Sequence, residues 1–240
     1  MFPILPLRPK DEEPGVYCDP HEQGSAFFIS KGGLFITARH VIDKWSTESH
    51  TVIAVHFGLK AKKECRVLEL EGHQELDIAV GLAERPGPNG WPYPFTLATS
   101  TIGQGSAILM FGYANTSVSP HRDPDGPFDP DATLHLDMHP RRYTGHVVEH
   151  LERGPLIPGP CYHISCDPGG GISGGPLIRK RTMHVHGVFV RGLTQDGPDC
   201  PQTGFALDLR TIVSSWPIAF LGGLSLREYA DKNPGELSIR

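Results

Sequence analysis

The chain has 240 residues, 38% of them hydrophobic, with 22 Lys and Arg set against 27 Asp and Glu for a formal net charge of −5. That apolar content can bury a core in one large domain or two small units, which excludes disorder for most of the length. An acidic balance with no cationic stripe excludes a basic nucleic-acid groove, and 28 Gly with 23 Pro require many turns between short strands.

The opening, MFPILPLRPKDEEPGV, is apolar at first but is broken by Pro3 and Pro6 and lacks a basic leading segment. It does not match a secretory signal, and residues 1–16 are expected to be an N-terminal extension. From Gly24, GSAFFISKGGLFITARHVID sets the apolar runs AFFI and LFIT on either side of SKGG, the pattern of a hairpin, with a short helix starting near His40. TVIAVHF at 51–57, CRVLEL at 65–70 and LDIAVGL at 76–82 follow as brief β-branched strands, the cadence of a small barrel. ERPGPNGWPYP, 84–94, is a turn-rich connector to a second unit.

Beyond it, GQGSAILMFGY at 103–113 and GHVVEH at 145–150 are predicted strands. The stretch 117–142 between them is crowded with Pro, Asp and His and is predicted to be a loop that borders an active site or moves. Strand signals return in CYHISC at 161–166, PLIRK at 176–180, MHVHGVFV at 183–190 and TGFALDL at 203–209. After Thr211 comes an apolar stretch and then LSLREYA, a short helix expected on the outside of the second unit. The apolar run 216–221 is far below the roughly 20 residues of a membrane span, and no membrane is expected.

Cysteines at 18, 65, 161, 166 and 200 are odd in number and irregularly spaced, which suits reduced thiols in the cytoplasm rather than a disulfide framework. CYHISC could offer three soft zinc ligands, with His184 or His186 as a distant fourth. The spacing matches no standard zinc pattern, so a buried strand and no metal are expected.

In GGGISGGPL, 169–177, Ser173 stands between glycines. A serine hydroxyl is a weak nucleophile at neutral pH and needs an imidazole to take its proton, which in turn needs a carboxylate to fix its tautomer. His40 closes FITARHV at a strand-to-helix junction, and Asp77 lies within LDIAV, where an ionised carboxylate needs a partner. Gly171 and Ser173 could aim their backbone N–H groups at one spot only in a tight conformation that a Cβ would hinder. Such an oxyanion hole contributes about 3–4 kcal/mol per donor in acyl transfer.

These three blocks, with GSAFFIS before the histidine and TGFALDL after the serine, resemble the trypsin-like serine peptidases in that family's order. The likeness is greatest to their compact HtrA-like branch and spans roughly residues 24–211. It implies an all-β fold of two six-stranded antiparallel β-barrels, the first over about 17–90 and the second over about 101–215, with the active site in the cleft between them. A peptidase domain would then occupy 17–215 and a tail with a short helix 216–240. The resemblance implies a serine endopeptidase that cleaves a protein or peptide substrate through His40, Asp77 and Ser173, with Gly171 in the oxyanion hole and no cofactor. Extended substrate would pair with the edge strand at Val190, Arg191 and Gly192.

Two positions depart from the secreted relatives. Ile172 precedes the serine where those relatives place an aspartate that receives a new N-terminal ammonium, so activation by N-terminal insertion is not expected. Asp167, six residues before Ser173, stands where the floor of the primary pocket would be and points to cleavage after Arg or Lys through a bidentate guanidinium. HtrA-like enzymes prefer aliphatic residues there, and an Asp167–Arg191 ion pair would take the aspartate out of selection. No PDZ-like domain is legible, so regulation is expected from a protein partner, the long loop or the ends. The alternatives are a catalytically silent peptide-binding module of the same fold and incidental hydrolysis of small esters.

Overall fold

The computed structural model describes residues 1–9, 16–17, 24–43, 51–57, 62–85, 93–120, 134–154, 157–166, 171–193 and 203–240. Its first unit is a sheet of β1 (Phe2–Pro9), β2 (Val16–Tyr17), β3 (Gly24–Phe28), β4 (Leu34–Thr37), β5 (Thr51–Phe57), β6 (Lys62–Gly72) and β7 (Ala79–Ala83). The strand order is β2-β1-β3-β4-β7-β6-β5, and β1 also pairs with β5, so six strands return on themselves with β2 appended. Phe2–Pro9, within the stretch read as an N-terminal extension, thus forms a strand of this sheet.

The predicted hairpin is β3–β4. Its turn is closed by the Ile29 N–H donating to the Leu34 carbonyl at 2.8 Å and the Leu34 N–H donating to Ser30 Oγ at 3.0 Å. Alternation along the strands sends Phe28 and Phe35 to one side, where both pack on Phe2, and Phe27 to the other, where it meets Phe95 edge-on with ring centroids 5.7 Å apart. Each buried ring contributes roughly 2–3 kcal/mol as an upper estimate.

The second unit is a closed antiparallel barrel in the order β10-β13-β12-β11-β8-β9. Its strands are β8 (Ala107–Pro120), β9 (Leu134–Leu151), β10 (Cys161–Ile164), β11 (Pro176–Arg179), β12 (Val185–Leu193) and β13 (Thr203–Asp208). Of the expected loop at 117–142, residues 121–133 lie outside the described residues, while both flanks are strand: β8 and β9 stay paired from Ala107↔His146 out to Pro120↔Leu134, with a bulge between Ala114 and Ser117. Pro120 and Pro140 fall in the part of the ribbon where each strand has one neighbour, an edge position that tolerates a missing N–H.

Met110, Tyr162, Ile164, Leu177 and Phe189 fill this barrel. A second apolar cluster runs from Phe2 and Phe35 through Leu97 to Val188 and Leu207, so the two units share buried contacts. Among the described residues three short α-helices complete the fold: α1 (Arg39–Ile42), α2 (Leu209–Ser215), capped by the Asp208 side chain, and α3 (Leu226–Lys232), capped by a Ser225–Glu228 box. The last residues run back along the connector. The Leu97 N–H donates to Ser238 O at 2.9 Å, and the Lys31 N–H to Glu236 O at 3.2 Å, so the tail also touches the first unit. No helix among the described residues is long and apolar enough to cross a membrane.

Candidate active site

Strand β4 ends at Thr37, and α1 begins two residues later with Val41 and Ile42 buried beneath it, which leaves His40 on the open side. The His40 backbone N–H donates to Asp77 Oδ1 at 2.8 Å, and its ring Nδ1 lies 2.7 Å from Oδ2. A carboxylate only accepts, so Nδ1 carries a proton, and in the neutral ring it is Nε2 that presents the lone pair. The two side chains are 46% and 30% exposed.

Asp77 precedes β7 rather than lying within it. It is the middle residue of a γ-turn closed by the Ile78 N–H on the Leu76 carbonyl at 2.8 Å. Two neighbours hold this bend. His73 Nδ1 accepts from the N–H groups of Glu75 and Leu76 at 3.1 Å each. Arg39 Nη1 donates to the carbonyls of His73 at 2.6 Å and Gln74 at 2.7 Å, while its Nε bonds Asp43 Oδ1 at 2.9 Å. Burial lowers the His73 pKa, with the Arg39 charge acting in the same sense and Glu75 opposing it. A neutral ring is what two amide donors need.

Ser173 occupies the second position of a turn closed by the Gly175 N–H on the Ile172 carbonyl at 2.8 Å. Gly174, at the third position, has φ +86°, the geometry of a type II turn, and a Cβ there would overlap Ser25 O, Thr37 Oγ1 and Ala38 N. Gly171 has φ +84° and backs onto the Tyr113 carbonyl, 2.6 Å from where its Cβ would be. Three backbone bonds lock the turn: Ser25 N–H to Ser173 O at 2.8 Å, Gly174 N–H to Phe189 O at 2.8 Å and Phe189 N–H to Gly175 O at 2.9 Å. Among the described residues, neither the Gly171 nor the Ser173 N–H has an acceptor.

The halves meet at Gly24, where an added methyl would lie 2.5 Å from Val41 Cγ1 and 3.1 Å from Ser173 O. No hydrogen bond among the described residues joins the His40 ring to the Ser173 hydroxyl. Such bonds are often long before substrate arrives.

Of the substrate-binding residues read from the sequence, Asp167 lies outside the described residues, and with it the Asp167–Arg191 pair. Val190, Arg191 and Gly192 are on β12, beyond the last β11 partner at Pro176↔Val188; Val190 is buried and Arg191 exposed. Gly204 of β13 faces this segment, with Cys166 O and Phe189 Cε2 each 2.7 Å from its would-be Cβ, so no side chain fits there.

The CYHISC side chains take other partners. His163 bonds Glu149 at 3.0 Å and the Thr203 hydroxyl, and burial, with the charges of Asp208 and Glu149, pushes the Cys161 thiol up to about 11. Cys161 and Cys166 are buried, Cys18 and Cys200 lie outside the described residues, and His186 donates from Nδ1 to Ser100 O at 2.8 Å. Sequence reasoning missed Ser25, Arg39 and His73. The available signals were a small polar residue heading the apolar run AFFI and an arginine beside the histidine in TARH.

A family model for the trypsin-like peptidase domain matches residues 24–188. No curated protein matches the chain. Among solved structures, Deg5 superposes with a TM-score of 0.60 at 20% identity, covering 92% of this chain and 89% of that one. The active form of the Rv3671c protease from M. tuberculosis gives 0.57 at 20% identity, covering 93% and 81%. The apo MamO protease domain from Magnetospirillum magneticum gives 0.55 at 14% identity, covering 88% and 94%. At these identities the likeness speaks to the fold.

Proposed function

The chain belongs to the trypsin-like peptidase family, with the fold of its compact HtrA-like branch, and from that premise we propose that it is a serine endopeptidase acting through Ser173, His40 and Asp77. The observation that carries this reading is the double acceptance by the Asp77 carboxylate of the His40 backbone N–H and ring Nδ1–H. It leaves Nε2 as the basic atom that the serine needs.

In the proposed reaction Ser173 Oγ attacks the scissile carbonyl while His40 Nε2 takes its proton, and Asp77 stabilises the imidazolium. The oxyanion forms against the Gly171 and Ser173 N–H groups. Among the described residues neither N–H is spent on another acceptor, and a donor held ready for the developing charge contributes about 3–4 kcal/mol. His40 then protonates the leaving amine, and water repeats the sequence in reverse on the acyl-enzyme. The substrate lies extended along Val190, Arg191 and Gly192, adding backbone hydrogen bonds to an open edge.

Asp167 would floor the primary pocket, and reporter peptides ending in Arg or in an aliphatic residue, tried on wild type and Asp167→Ala, decide the preference. The buried Cys161 thiol supports action in a reducing, cytoplasmic setting. A fluorophosphonate probe should label wild type and not Ser173→Ala; a well-folded wild type that stays unlabelled would overturn the reading. A second reading is a silent module that binds peptides along the same edge. Peptide binding by unlabelled protein would support it.

A further inference from the structure

Ser25 is wholly buried yet polar, and among the described residues it makes four hydrogen bonds with three parts of the molecule. Its Oγ–H donates to the Gly171 carbonyl at 2.9 Å, and its Oγ accepts from the Tyr113 N–H at 2.9 Å. Its backbone N–H donates to the Ser173 carbonyl at 2.8 Å, and its carbonyl accepts from Thr37 Oγ1 at 2.8 Å. The proton on Oγ is therefore assigned: an amide N–H can only donate, so the hydroxyl must spend its own hydrogen on Gly171.

One residue thus grips the carbonyls of both amino acids whose N–H groups are to meet the oxyanion. For Gly171 this is the only hydrogen bond among the described residues, and its φ of +84° belongs to a residue type with wide conformational freedom. Ser25 sits in β3, whose register with β4 pairs Ala26 with Thr37, three residues before His40, through a backbone ladder that does not depend on the Thr37 side chain. We propose that Ser25 is a positioning residue of the oxyanion hole, the group that sets the Gly171 and Ser173 donors at a fixed place relative to His40. The inference rests on the endopeptidase reading.

Alanine cannot make either Oγ bond. Ser25→Ala should lower kcat on a peptide substrate by roughly 100-fold, the scale of a misplaced or lost oxyanion donor. KM should stay within about twofold, the signature of an interaction made only in the transition state. Affinity for a peptide aldehyde, whose adduct with Ser173 places an oxyanion in the hole, should fall by the same factor, while affinity for the cleaved product peptide holds. The midpoint of the kcat/KM pH profile should not move, since His40 and Asp77 are untouched.

Two further variants separate positioning from plain structure. Thr37→Val also removes a buried hydrogen bond from Ser25 and should lower the melting temperature comparably, yet keep kcat within about threefold. Ser25→Cys, with a weak S–H donor in nearly the same volume, should fall between wild type and alanine, and it serves if the alanine variant fails to fold. The proposal is overturned if Ser25→Ala, or Ser25→Cys in its place, keeps wild-type kcat, or if Thr37→Val loses as much activity at an equal loss of stability. A wild type without Ser173-dependent turnover removes the endopeptidase reading and this inference together. An active wild type beside an unaffected Ser25 variant removes this inference alone.

Discussion

The half of the site that carries His40 and Asp77 is held by side chains in partial contact with water, whereas the half that carries Ser173 is held by backbone packed against backbone. In the first, Arg39, His73 and the Asp77 carboxylate bond the bend before β7, and each of those contacts involves a charged or titratable group. In the second, Gly171 and Gly174 adopt positive φ, and carbonyls of Ser25 and Tyr113 occupy the space where side chains would begin. The difference teaches which perturbations each half can feel. Charge and pH act on the acid–base half; an added carbon atom acts on the nucleophile half.

The largest expected effect is a test of the acid–base half. Asp77→Asn keeps the shape but offers the ring the wrong partner. It should lower kcat by roughly 10⁴-fold with little change in melting temperature, a loss read by steady-state kinetics at neutral pH. An equal loss of stability would mean that this half is also a packing element.

Gly174→Ala probes the other side. Left-handed backbone costs a Cβ-bearing residue roughly 1–2 kcal/mol, and the overlap with Ser25 O and Thr37 Oγ1 adds overpacking strain of about 1–3 kcal/mol. At this chain length the melting temperature should drop by about 5–15 °C, measured by thermal unfolding. An unchanged melting curve would break the claim that sterics hold the turn.

Arg39→Met frees the carbonyls of His73 and Gln74 while keeping the stem that packs by Gly72. We expect kcat to fall about tenfold, with Arg39→Lys restoring only part because one ammonium replaces a planar fork. Retained activity in Arg39→Met would show that Asp77 needs no clamp.

The smallest effect concerns pH. The folded pKa of His73 is lowered below its ordinary 6.5 chiefly by burial, so the folded state binds fewer protons there than the unfolded chain does. Its contribution to stability is therefore full above about pH 6.5 and declines as pH falls toward the depressed folded value. His73→Gln should flatten this acid limb of the melting-temperature profile. The flattening will be partial because His186, also lowered by burial, contributes with the same sign. An acid limb unchanged by the substitution would remove His73 from the account.

By itself the sequence determined the local pieces. The β3–β4 hairpin, α1 at His40 and the strand at Thr51–Phe57 stand where alternation and turn residues put them, and the glycines around Ser173 announced a turn that tolerates no Cβ. Such features depend on neighbours within a few residues, and neighbours in the chain are legible as letters. What only the tertiary structure decided is who holds these pieces: β1 entering the first sheet, the β8–β9 ribbon running far past its predicted ends, and Arg39 clasping carbonyls 34 and 35 positions away. Ser25 reaches Gly171 across 146 positions. A hydrogen bond between remote residues leaves no period and no spacing behind, because its geometry exists only after the chain has folded its first sheet against the closed barrel of the second unit.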